Sequence, residues 1–416
     1  MNAVFTIVAK NFLPQARILG DSIKRIHPEL PFHILLSDET EGLINLTQEK
    51  YPTVDVKTIG VSCYKDMAFK YNLVEFATAM KPFFFDYLFN HYHYDKIIYF
   101  DPDICVYSSL APIFDTLENN FVVLTPHIIN LALRDEGARE EQNLLYEGTY
   151  NLGFIALNCS PAARTIIEWW KNRLRDRCYA DRFNGLHVDQ KWMELIPAFF
   201  DKGVFISRHP GHNLAVWNMH ERKLCQSKQS WLVDNQPLVF FHFSGFDPSN
   251  SDNITGSHKQ TKFNLINKPE YREIFHAYAD RLRSDKAPVT SYAYSKYDNG
   301  VGIFRFQRRL YRRLIENGFN FEHPFSTAPN SFYELLRKNQ LVIMDNNGGS
   351  ELRKRDISNP AVKLRLLRKG MLLLKKAIGI KYYNLFIRTM LVLCRPEEQT
   401  FLFENLKIDL PIIFRE

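Results

Sequence analysis

The sequence predicts an α/β protein: a mostly parallel central sheet with helices on both faces, followed by a mainly helical C-terminal region. Three observations predict it. Short, continuously apolar runs alternate with helical patterns through the first 125 residues, as strands buried on both faces of a parallel sheet require. One of these runs ends abruptly on a pair of carboxylates, the position at which open α/β sheets receive ligands. Beyond about residue 264 helical periodicity dominates.

Each element follows from its own pattern. The run "AVFTIVA" reads as a first strand, and "PQARILGDSIKRIHPE" as a helix with Ala16, Leu19, Ile23 and Ile26 on one face and Pro14 near its start. "PFHILLS" reads as a strand, residues 41–49 as helix-like, and "VDVKTI" as a strand. A helical region near 71–90 is punctuated by Pro82, and the strands "KIIYF" and "FVVLTP" follow. Farther on, "NLGFIALN", "GVFIS" and "PLVFFHF" read as strands, with helices at about 161–178 and 188–198. Residues 244–262 are polar and rich in Pro, Asn, Ser and Gly, a loop of a length that is usually either functional or disordered. A domain boundary is therefore expected there, giving domains 1–263 and 264–416.

Composition narrows the class. The 416 residues have a formal net charge of +7, and 45% are apolar, so a full core is expected. Six cysteines are scattered without a C-x-x-C pair, which suits reduced thiols. The N-terminal stretch lacks a signal-peptide pattern, and no run of eighteen apolar residues occurs. The expected compartment is cytoplasmic.

The chemistry centres on "KIIYFDPDICV". In an extended segment Asp101 and Asp103 share one side, roughly 6–7 Å apart, and a turn at Pro102 would bring them closer. Two nearby carboxylates repel and are costly to bury without a counter-ion, and hard oxygen ligands favour Mn²⁺ or Mg²⁺. Asp-Pro-Asp is also ordinary turn chemistry, so the pair needs companions. His242 ends the apolar strand of "PLVFFHFSG"; a lone histidine there is more often a satisfied core residue, yet a neutral imidazole suits Mn²⁺ as a third ligand. Asp189 and Gln190 open a helix in "HVDQKW", where they could equally be caps. In "YNLGFIALN", Asn151 precedes a strand and Gly153 permits close approach of a ligand or a backbone.

In this order the motifs resemble the metal-dependent glycosyltransferases of the GT-A fold, within them retaining family 8 and related bacterial polysaccharide enzymes. "AKNFLPQARILGDSIKRIHPE" is similar to that family's opening strand and helix, "YFDPDICV" to its Asp-x-Asp segment, "YNLGFIALN" to its Asn-x-Gly strand, and "HFSG" to the start of its His-x-x-Gly metal motif. The resemblance covers residues 1 to about 248. It implies that Asp101, Asp103 and His242 hold the metal, and that Ala9, Asn11, Asp38, Lys81, Asp101, Asn151 and Gly245 bind a nucleotide-sugar donor, UDP-sugar favoured. It further implies that Asp189 and Gln190 face the sugar being transferred to a glycan or a lipid-linked oligosaccharide, with configuration retained. One departure matters: Pro248 and Ser249 stand where the family has a Lys-Pro-Trp that contacts the pyrophosphate, and Lys259 or Lys262 would have to substitute.

The C-terminal region carries a separate signal. Residues 353–381 hold ten basic residues against Asp356 alone, with Leu364, Leu367, Met371, Leu374 and Ile378 at helical spacing. A basic amphipathic helix suits an anionic membrane surface, and the expected location is peripheral on the inner face of the cytoplasmic membrane; the plain alternative is a bundle helix whose charged face is merely solvated. A second group, Arg305, Arg308, Arg309, Arg312 and Arg313, points to anionic lipid-linked acceptors. No nucleic-acid module accompanies these arginines. The rival readings are a nucleotidyltransferase, against which "AKNFLPQ" lacks a glycine-rich phosphate loop, and a non-catalytic sugar- or nucleotide-binding scaffold.

Overall fold

The computed structural model describes residues 1–131, 141–227, 230–250, 268–285, 291–343, 357–404 and 406. They form two compact units: Met1–Tyr64 with Leu73–Tyr292, and Lys65–Asn72 with Ala293–Glu416. The first unit runs to Tyr292, and the boundary expected at 263 lies outside the described residues. The helix Arg272–Ser284 buries Ile274, Phe275 and Tyr278 against Phe241 and Phe243 of the first unit, so it belongs to that core.

The first unit is built on strands β1 (Asn2–Val8), β2 (Phe32–Leu36), β3 (Thr53–Asp55), β4 (Lys96–Phe100), β5 (Ile104–Val106), β6 (Val122–Pro126) and β7 (Tyr150–Asn158). The main sheet has the order Val204–Ile206, β6, β7, β4, β1, β2, β3. Every pairing in it is parallel except those made by β7, which runs against both β4 and β6. The expected mostly parallel α/β sheet is therefore present. β2 and β6 are buried along their whole length and β4 from Ile97 onward, which is why they read as unbroken apolar runs. Helix α1 (Leu13–Ile26) lays Leu13, Ala16, Leu19 and Ile23 into one cluster with Val4, Val8, Ile34 and Leu36.

Three local expectations change. Residues 41–49 form turns and one short 3-10 turn, Leu46–Gln48, because the Asn45 side chain accepts from Thr47 N and offers the backbone an alternative to the helix. The region near 71–90 is two helices, Leu73–Ala79 and Lys81–His91, with Pro82 in the first turn of the second. The stretch 188–198 likewise breaks into Gln190–Met193 and Ile196–Phe199, the second opening on Pro197.

The second unit gathers helices Arg305–Glu316 and Phe332–Lys338 around Phe69, Tyr311, Phe332 and Phe403. The short segment 65–72 belongs to it through Arg308, which donates to the carbonyls of Ala68, Phe69 and Tyr71 at 3.0, 2.5 and 2.8 Å and to Tyr294 O at 2.6 Å. Arg308 and Arg309 are buried, and Arg312 pairs with Glu316. For Arg308 and Arg309 this corrects the reading as an acceptor surface, and Arg308's five donors suit it to collecting buried carbonyls, whereas Arg305 is exposed. Residues 353–356 of the basic stretch, and Lys259 and Lys262, lie outside the described residues.

Candidate active site

The parallel strands β1, β2, β4 and β6 all end at one edge of the sheet, at Val8, Leu36, Phe100 and Pro126. Because β7 is antiparallel, its beginning, Tyr150 to Gly153, lies at that same edge. The residues that follow these strand ends (Ala9 and Asn11, Asp38, Asp101 and Asp103, His127) therefore converge without being near in sequence.

Asp101 and Asp103 occupy a tight turn closed by Ile104 N donating to Asp101 O at 3.2 Å. The turn is fastened on both sides: Asp101 N donates to Gly153 O at 2.7 Å, and Phe243 N donates to Asp103 O at 2.8 Å. The second bond extends the antiparallel pairing of β5 with Phe240–His242, which sets His242 opposite Ile104. His242 Nε2 consequently lies 3.1 Å from Asp103 Oδ1 and 3.8 Å from Asp101 Oδ2. One donor atom from each of the three residues lies within 4.8 Å of the other two.

Gly153 makes this approach possible. A Cβ on it would stand 2.4 Å from His242 Cε1 and 2.8 Å from Asn151 Oδ1. The imidazole also meets the Trp217 ring edge-to-face at 5.1 Å. His242 is thus held in place, and its buried Nδ1 makes no hydrogen bond. Two carboxylates and a fixed imidazole around one point form a donor set suited to Mn²⁺ or Mg²⁺, with nitrogen favouring the former.

Beside this cluster, Lys81 opens its helix and is buried, not a solvated helix-end lysine. Its Nζ lies 2.8 Å from Asp189 Oδ2, donates to Leu152 O at 2.7 Å, and is 3.9 Å from Asp101 Oδ1. Asp189 makes no capping bond with its side chain; it faces Lys81 instead. Burial pushes the Asp189 carboxyl up to about 6 despite the opposing pull of Lys81, and Asp101 adds to the rise. For His242 burial pushes downward, but Asp103 and Asp101 outweigh it and hold the imidazole above its ordinary value. Asp189 and Asp101 share Lys81, and Asp103 stands beside His242.

The remaining sequence-derived residues are placed as follows. Gln190 accepts from Leu152 N at 3.1 Å and donates to Glu147 O at 2.8 Å, so it fixes the start of β7. Asn151 Oδ1 accepts from Gly153 N at 3.1 Å and from Asn213 Nδ2 at 3.0 Å. Asp38 is fully buried, 3.2 Å from Lys10 Nζ, and accepts from the Lys10 and Glu39 backbone N–H groups. Ala9 is buried, and Asn11 is half-buried with its side-chain oxygen enclosed and without a hydrogen-bond partner. Gly245, three residues past His242, takes the left-handed conformation at φ 69°.

Four residues at the site escaped the sequence reading. Tyr99 donates to Asp101 Oδ1 at 2.5 Å, and Lys81 Nζ lies 4.4 Å from its ring centroid. Asn213 links Asn151 to Thr125 Oγ1, at 2.9 Å from the latter, while His127 Nε2 lies 3.3 Å from Asn151 Nδ2. Trp217 backs His242. The period of two from Tyr99 to Asp101 was a usable signal, and His127 follows directly on β6; Asn213 and Trp217 flank Leu214–Ala215, whose long-range pairing with Phe241 and His242 no local pattern encodes.

Asp101, Asp103 and His242 thus converge at one edge of a mostly parallel sheet. No family model matches the chain. Two curated relatives from Bacillus subtilis strain 168 are described only as uncharacterised proteins. YfnF is 27% identical over 274 residues, 64% of this chain and 88% of its own. YfnD is 28% identical over 177 residues, 41% of this chain, and the match spans 54% of YfnD itself. Among solved structures, the galactosyltransferase LgtC in complex with donor and acceptor sugar analogues is 18% identical, covering 70% of this chain and 98% of that one, with a TM-score of 0.40. The glycosyltransferase GlyE of Streptococcus pneumoniae TIGR4 is 15% identical, covering 88% and 91%, with a TM-score of 0.38. Likeness at these levels assigns no role to any residue.

Proposed function

We propose that this chain is a metal-dependent glycosyltransferase, of the family 8 type, that moves a sugar from a nucleoside diphosphate to a surface glycan or lipid-linked acceptor with retention of configuration. A uridine nucleotide is the favoured donor. The observation that carries the reading is the convergence of Asp101, Asp103 and His242 within 4.8 Å, directly beside the Lys81–Asp189 pair.

Asp101, Asp103 and His242 would hold the divalent cation, which when bound supplies Lewis-acid stabilisation to the diphosphate leaving group. Asn11, with its enclosed carbonyl oxygen unpartnered, contributes an acceptor for a donor N–H or O–H. Lys81 neutralises Asp189 in a buried setting and keeps that carboxylate oriented at the edge where the sugar would lie. The Gln190 carbonyl oxygen spends one lone pair on Leu152 N and retains the other for the cationic sugar centre. Tyr99 fixes one oxygen of Asp101, leaving the other on the His242 side.

The test is hydrolysis and transfer across a panel of nucleotide sugars with Mn²⁺, with Mg²⁺ and with chelator. Metal-dependent turnover that disappears in Asp103→Ala, with the melting temperature retained, is the expected result. Turnover indifferent to chelator, or undiminished in that variant, would remove the proposal. A nucleotidyltransferase would instead consume a sugar phosphate and a nucleoside triphosphate, and a scaffold would bind without turnover.

A further inference from the structure

The helical segment Pro360–Leu393 differs from the other helices of its unit in that none of its residues is buried. Large apolar side chains nevertheless stand open along it: Leu366, Leu367, Leu372, Leu373, Ile380 and Leu385 are 56–67% exposed. The segment has eight basic residues and no acidic one. At about 100° per residue, Arg365, Arg368, Lys369, Lys375 and Lys376 fall within one arc of roughly 120°. Leu364, Leu366, Leu367, Met371, Leu373 and Ile378 take the rest of the circumference, with Leu372 and Lys363 out of pattern.

Helical dihedrals break at Gly379 (φ 75°, ψ 163°), so the segment is two rods joined at a glycine. The second rod is the more apolar, with Lys381 and Arg388 as its basic residues. At its far end the chain bends by 95° into Pro396–Leu402, which buries Glu397 and Thr400 and leads to Phe403 in the aromatic cluster. The rods are therefore tethered to a folded core while remaining uncovered themselves.

Three kinds of partner could meet such a surface, and charge separates them. A second copy would set eight positive charges against eight, with no carboxylate on either helix to pair them. A nucleic acid would engage the basic arc and leave the leucines in water. An anionic bilayer takes both faces at once: apolar side chains enter the acyl boundary while Lys and Arg stems reach the phosphates. Crossing the bilayer would drag Arg365, Arg368 and Lys369 through hydrocarbon, whereas lying in its plane does not. We infer that Pro360–Leu393 is a hinged in-plane anchor that binds a bilayer surface rich in anionic phospholipid, Gly379 letting the two rods settle independently. This inference stands apart from the metal site and does not rest on the proposed reaction.

The experiment is flotation of the full chain, without metal or nucleotide sugar, on phosphatidylcholine vesicles with and without phosphatidylglycerol. The protein is expected to float with the mixed vesicles alone and to be released by salt. A Lys375→Gln/Lys376→Gln variant should bind about 30-fold more weakly, about fivefold for each charge removed. A Leu366→Ser/Leu373→Ser variant should lose flotation with an unchanged melting temperature, since both leucines are exposed. Equal binding to neutral vesicles, or absence of flotation with either, overturns the inference. So does a dimer in light scattering that the leucine variant converts to monomer, or displacement from vesicles by duplex DNA.

Discussion

Replacing Gly153 by alanine tests whether His242 and the two carboxylates act as one cation site. The added Cβ would stand 2.4 Å from His242 Cε1 and 2.7 Å from its Nδ1, whereas ordinary contact starts at 3.4 Å. The ring must therefore retreat by about 1 Å, while Trp217 stands against it at 5.1 Å between centroids. Metal–ligand distances tolerate only about 0.2 Å. Disturbing the support of a ligand weakens binding by roughly 10–100-fold, or about 1.4–2.7 kcal/mol. Stability changes less. The smaller unfolded-state entropy of alanine returns about 0.4–1 kcal/mol, against overpacking of about 1–3 kcal/mol. Calorimetric titration with Mn²⁺, alongside a thermal melt, reads both. If the variant binds Mn²⁺ within about twofold of wild type, the imidazole is not a ligand and the reasoning fails.

Other expectations can be checked in parallel. Tyr99→Phe removes the donor to Asp101 Oδ1 and should weaken Mn²⁺ binding by about tenfold, the worth of one hydrogen bond to a charged group, with little change in melting temperature. Asp189→Asn leaves Lys81 buried with its principal counter-charge gone; a loss of about 3 kcal/mol in urea unfolding is expected, together with loss of turnover. Arg308→Met strands the carbonyls of Ala68, Phe69, Tyr71 and Tyr294, and should raise hydrogen exchange across residues 65–72 well before the first unit responds. Burial holds the His33 imidazole down at about 4, below its ordinary 6.5, so the unfolded chain binds this proton more readily than the folded one. Stability should accordingly fall as pH drops from about 6.5 to about 4, by about 3 kcal/mol from this residue. His33→Gln should flatten that part of the urea-unfolding profile.

The fold was largely legible because its signal is local. Strands buried on both faces must be apolar throughout, and α1 must show its 3.6-residue stripe, so β1, α1, β2, β4 and β6 could be read directly. Stretches decided by a single side chain were not: Asn45 bonding Thr47 N ended the expected helix at 41–49. The two units are set by long-range contacts in a related way. Residues 65–72 join the second unit through Arg308 and the packing of Phe69, with partners more than two hundred positions away, and Arg272–Ser284 joins the first through aromatic packing.

What the sequence determined by itself was the list of chemically suited residues: two acids at a strand exit, an imidazole at another, a glycine where something must pass close. Only the tertiary structure decided that they meet. It did so through the antiparallel pairing of β5 with Phe240–His242 and the reversed direction of β7, which carry Asp103, His242 and Gly153 to one edge. The same folding turned Lys81 inward against Asp189 and Arg308 into a clasp for carbonyls, while leaving Pro360–Leu393 uncovered. Residue type states what a side chain can do in contact with a partner; which partner it has, and whether water reaches it, depends on chain reversals that span hundreds of residues and leave no periodic trace.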